Sequence, residues 1–85
     1  MIRLLHPDGR AEKLRWTDKH PASHYGLGVV LRGHGGRILD GVNFKLLAVA
    51  GAKIICSDDR ERRRVAGALA WPALGFPETF LEVRP

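Results

Sequence analysis

Cys56 and Arg62 stand in C-x5-R spacing. In that arrangement a thiolate at a helix N-terminus attacks phosphorus while backbone N–H groups wrap the phosphate. The intervening Ser57, Asp58, Asp59, Arg60 and Glu61 oppose this chemistry. Three acids repel a phosphate, and no glycine lets the backbone curl around it. The spacing reads instead as a strand cysteine followed by a helix cap. His20 and His24 have the H-x3-H spacing of two ligands on one helix face. Pro21 and the following Tyr25-Gly26 argue for a loop there, and no cysteine pair or H-E-x-x-H accompanies them, so no metal is expected. No G-x-S-x-G nucleophile elbow occurs. The carboxylates fall at cap positions (Asp40, Asp58, Asp59) or alternate with apolar residues, and none forms an acid–base pair. A non-enzymatic protein without a cofactor is the expectation.

The cations are more conspicuous. Arg60, Arg62, Arg63 and Arg64 form a run. At helical spacing Arg60, Arg64, Gly67 and Trp71 share one side, with Arg63 beside them. Guanidinium groups suit phosphate or carboxylate, and an indole suits stacking. Cations in a first helical turn oppose the helix dipole, a local rule broken where function often lies. The same run contains its own neutralisation, because Asp58–Arg62 and Asp59–Arg63 are i,i+4 pairs. Residues 58–64 hold four Arg against three acids, so the run nets little charge. Residues 20–57 hold Arg32, Arg37, Lys45 and Lys53 against Asp40 alone. The turn Arg32-Gly33-His34-Gly35-Gly36-Arg37 lies there. Its glycines expose backbone N–H groups between two arginines, a tip able to hold a phosphate. The candidate binding residues are therefore Arg32, His34, Arg37, Arg60, Arg63, Arg64 and Trp71.

The elements that must position these residues follow from patterning. Ile2–Leu5 is a short apolar strand, and His6-Pro7-Asp8-Gly9 is a turn with Pro and Gly at their preferred places. Glu12–Trp16 alternates, with Glu12, Leu14 and Trp16 on one face and Lys13 and Arg15 on the other. Gly28–Arg32 and Arg37–Leu39 flank the glycine turn as strands. Phe44, Leu47, Ala48 and Gly51 share a helical face, with Asp40 as N-cap and Gly51 at the C-terminal left-handed position. A strand pair through Ala48–Ile55 is the alternative for that apolar run. Ala52–Ser57 is a buried strand. Asp58 and Glu61 form a capping box for a helix from about Asp59 to Trp71, ended by Pro72. Glu78–Arg84 is a last strand.

Gly51 to Arg63 resembles one strand–helix unit of a dinucleotide-binding protein, in which an acid after the strand meets ribose. The preceding G-x-G-x-x-G is absent, since Gly26-Leu-Gly and Gly33-His-Gly-Gly are spaced differently. Two such halves do not fit in 85 residues, so the likeness is one of local pattern.

These elements imply an α+β fold: a small mixed or antiparallel sheet of about five to six short strands, with two helices packed on one face. The 85 residues make one domain. The balance of 45% hydrophobic and 27% charged residues is that of a globular chain. One cysteine allows no internal disulfide, and together with the absence of a signal-like or membrane-length apolar run it points to the cytoplasm. The net charge of +5 favours a polyanionic partner. Two functional readings follow. The first is contact with nucleic acid or a nucleoprotein complex through basic side chains. The second is a protein-directed inhibitor or adaptor of the phage or mobile-element kind, meeting an acidic protein surface with Trp16, Tyr25, Trp71 and the arginines as anchors.

Overall fold

The computed structural model describes residues 1–16, 31–39, 41–69 and 75–84. The N-terminal hairpin forms as its turn chemistry dictates. β1 (Ile2–Leu5) and β2 (Ala11–Trp16) pair antiparallel, with Ile2 opposite Leu14 and Leu4 opposite Glu12. The intervening turn is closed by His6 N–H donating to Arg10 O at 2.8 Å and Gly9 N–H to His6 O at 3.0 Å. Gly9 sits at φ 89°, which only glycine adopts without strain.

β3 (Leu31–Arg32) and β4 (Ile38–Leu39) flank a 3-10 turn over His34–Gly36. Among the described residues β3 meets β2 at Arg15–Arg32 and Trp16–Leu31. After α1 (Gly41–Val49) the chain enters β5 (Lys53–Cys56), which pairs antiparallel with β1. α2 (Asp59–Ala68) then crosses over to β6 (Leu81–Val83), parallel to β5. The six strands run β4-β3-β2-β1-β5-β6 in one mixed sheet. The α+β expectation stands, and the Ala48–Ile55 ambiguity resolves as helix then strand, with Gly51 at φ 97° between them.

One cluster joins a single face of the sheet to both helices. Ile2, Leu4, Leu14, Leu31, Leu39, Ile54, Cys56 and Leu81 meet Phe44 of α1 and Val65 and Leu69 at the end of α2. Phe80 packs edge-on to Phe44 at 6.5 Å and stacked on Phe76 at 5.1 Å. Both helices therefore cover the same face. α1 is apolar nearly all round, and Val42, Leu46 and Val49 are left exposed.

Boundaries shift at two places towards the C-terminus. α2 stops at Ala68 with Leu69 as C-cap, consistent with a Gly at 67 and a Pro at 72 that both disfavour helix. Glu78–Phe80 is a 3-10 turn entered from Pro77, so the last strand holds only Leu81–Val83. The Asp40 cap and the segment carrying His20, His24, Tyr25 and residues 28–30 lie outside the described residues, as does Trp71.

The capping box forms in a shifted version. Asp58 accepts from Glu61 N–H at 2.8 Å, and Glu61 reaches back to Ser57 N–H, not to that of Asp58, at 2.8 Å. Asp58→Ala is expected to lower unfolding free energy by about 1 kcal/mol, read as a lower urea midpoint at unchanged slope.

Candidate functional site

The chemistry-bearing residues assemble in three places. The first is the glycine turn, where an acid takes the central position. Glu12 shares the core-side face with Leu4 and Leu14, so its carboxylate must find partners. It finds three. Oε1 takes His6 Nε2 at 2.7 Å and the Arg37 guanidinium at 2.5 Å, while Oε2 accepts His34 N–H at 2.8 Å. The Glu12 side chain is left only 10% exposed. Gly33 packs so closely against it that an added Cβ would stand 2.6 Å from Oε2.

Several of the turn's N–H groups are already bonded within the protein. Gly33 N–H goes to Arg37 O at 2.7 Å, Gly36 N–H to Gly33 O at 3.2 Å, and His34 N–H to Glu12. The anion held by the turn is the protein's own. Arg37 spends part of its charge on Glu12 while remaining 48% exposed. Arg32 lies half-buried and reaches back to Gly36 O at 3.4 Å.

The second place is α2. Arg62 and Arg63 both pair with Asp59, at 2.8 and 2.9 Å. Asp58 is taken up by its cap bond, so the anticipated Asp58–Arg62 pair gives way to an i,i+3 pair. Arg64 lies over the Trp16 ring, 4.0 Å from its centroid, a cation–π contact across helix and sheet. Trp16 is thereby covered by an internal partner. Arg60 is exposed and makes no ion pair among the described residues.

The third place was not singled out from sequence: the sheet face turned away from the helices. Register puts Arg3 opposite Lys13 and Arg15 opposite Arg32, all on that face. Arg3, Lys13 and Arg15 are exposed, and none of the three has an ion-pair partner among the described residues. The acid of this face, Glu82, lies across the sheet beside Lys53 at 3.4 Å and Arg84. Like charges directly opposite one another destabilise a sheet, yet here they occur twice in adjacent registers. The alternation of Arg3, Lys13 and Arg15 with apolar neighbours was visible in the sequence, but their apposition depends on strand register.

Cys56 has no exposed surface. Burial, with the Glu61 carboxylate nearby, pushes its thiol up to about 11, the reverse of what a thiolate nucleophile in C-x5-R requires. Among the described residues no group of three or more His, Cys, Asp or Glu side chains could hold a metal ion. Among them, too, no helix is long and apolar enough to cross a membrane. No family model matches the chain, and no curated protein or solved structure is significantly similar to it.

The Glu12 site has a pH signature. Burial pushes its carboxyl up, but the His34 N–H bond, the His6 bond and the Arg37 charge outweigh burial and hold it below the ordinary value. A carboxyl lowered in the folded state adds stability above its unfolded value, near pH 4, and loses it as pH falls through the folded value. Glu12→Gln is expected to cost about 1–3 kcal/mol at pH 7. The gap to the parent protein should narrow below about pH 4, as read by urea unfolding at stepped pH. A gap independent of pH would contradict the assignment.

Proposed function

We propose that the protein is a non-enzymatic module that binds the phosphate backbone of nucleic acid with the cationic face of its sheet. The observation that carries this reading is the diagonal band Arg3–Lys13–Arg15–Arg32, two like-charge pairs across three strands with no acid between them. Each such pair opposes folding by a few tenths of a kcal/mol up to about 1 kcal/mol. A polyanion laid over the band turns that repulsion into attraction, releasing counterions as it binds. Side chains two residues apart on β2 are about 7 Å from each other and neighbouring strands about 5 Å apart, so the four cations spread over several phosphates.

The described residues of this face include no aromatic ring. A stacking platform for unpaired bases is therefore not supported there, and the reading favours backbone contact with little sequence discrimination. The helix arginines fit the role less well, because Arg62 and Arg63 share Asp59 and Arg64 is committed to Trp16.

Arg3→Glu separates binding from folding. It places an acid opposite Lys13, so unfolding free energy should rise by about 0.2–1 kcal/mol. Affinity for a 20-base-pair duplex, read by fluorescence anisotropy at low salt, should fall. The parent protein's log Kd should depend on log salt with a slope of about 3 to 4 in magnitude, for four phosphate contacts. Reversing Arg60 on the helix layer should reduce affinity far less. No binding at micromolar protein in low salt, or equal losses from the two reversals, would overturn the proposal.

A further inference from the structure

Among the described residues β2 pairs with β1 over Ala11–Leu14 and with β3 at Arg15 and Trp16. The turn bonds set the phase of its backbone. His6 N–H to Arg10 O closes the hairpin end, and bonded and non-bonded pairs alternate from there. Leu4–Glu12 and Ile2–Leu14 are thus bonded pairs, whereas Ala11 and Lys13 turn their N–H and C=O groups away from β1. On that side β3 ends at Arg32, and Gly33 N–H has already gone to Arg37 O. The N–H groups of Ala11 and Lys13 have no bonded backbone partner among the described residues.

An open groove of about 830 Å³ runs along this edge, between residues 10–15 and the Gly33–Arg37 turn. Arg10, Lys13, Arg15, His34 and Arg37 line it. Its acid, Glu12, is already held by His6, His34 N–H and Arg37. The edge from Ala11 to Leu14 is about 13 Å long, enough for one short strand.

We propose that the free main-chain edge of β2 takes an extended acidic peptide segment as an added strand, a site that borders the phosphate-binding face and shares Lys13 and Arg15 with it. The groove offers paired main-chain donors and acceptors at peptide spacing, and main-chain bonds give such additions their affinity. A phosphodiester backbone has no donor to match them. On the added strand, the side chain opposite Lys13 and the one near Arg15, on the same face, are acidic. The alternate side chains, which face Glu12 and Leu14, are uncharged.

The probe is fluorescein-labelled acetyl-(Val-Glu)3-Val-amide, compared with two versions of equal charge in which one or the other alternate set of backbone nitrogens is methylated. The parent peptide should bind, one methylated version should bind roughly tenfold more weakly through loss of two main-chain bonds, and the amides of Ala11 and Lys13 should exchange more slowly in the complex. Binding should survive in Arg3→Glu, which keeps this result separate from duplex binding. Equal affinity for all three peptides would reduce the site to non-specific charge and overturn the proposal. So would no binding at millimolar peptide, or protection confined to other strands.

Discussion

One carboxylate, Glu12, ties the turn of the second hairpin to that of the first. Among the described residues β3 also meets β2 at Arg15–Arg32 and Trp16–Leu31, and Leu31 and Leu39 pack in the common core. Glu12 adds the polar constraint, joining His6 of the first turn to His34 and Arg37 of the second. An acid on the core side of a strand is costly unless its oxygens are paired. The two turns pair it, and it sets their separation. The close approach of Gly33 to Oε2 follows from the same geometry. The groove beside β2 exists because the turn is pinned near Glu12 and does not continue as a longer β3.

The charge of the chain is sorted by this architecture. Acids on α2 are spent on the cap and on the neighbouring arginines. Arg64 is spent on Trp16, and Arg37 partly on Glu12. Among the described residues four cations without an acid partner, Arg3, Lys13, Arg15 and Arg32, share the sheet face away from the helices, while Arg10 and Arg60 stand singly elsewhere. Half of the most conspicuous basic run in the sequence thus shares one acid, Asp59, whereas the cations that alternate with core residues on the strands face one another without an acid among the described residues.

Local chemistry was legible in the sequence wherever a few adjacent residues decide the outcome. The Pro7–Gly9 turn, the Asp58–Glu61 box, the glycine at 51 and the apolar strand ending at Cys56 all follow from short-range rules. Boundaries shifted where competing preferences meet, as at Leu69 and Glu78. The cationic band was not legible, because Arg3, Lys13, Arg15 and Arg32 become neighbours only through the register of three strands. Glu12 did leave a signal. It shares the two-residue period of Leu14 and Trp16, and a carboxylate on an apolar face must have a partner. The sequence does not say which cations from two distant turns supply it.

Amide chemical-shift mapping of the labelled protein against an unlabelled 20-base-pair duplex tests directly which surface meets the polyanion. The largest shifts should fall on Arg3, Lys13, Arg15 and Arg32, with Arg60 and Arg62–Arg64 little changed, and they should collapse as salt is raised. Shifts concentrated on the α2 arginines, or the absence of any salt-dependent shift, would contradict the account.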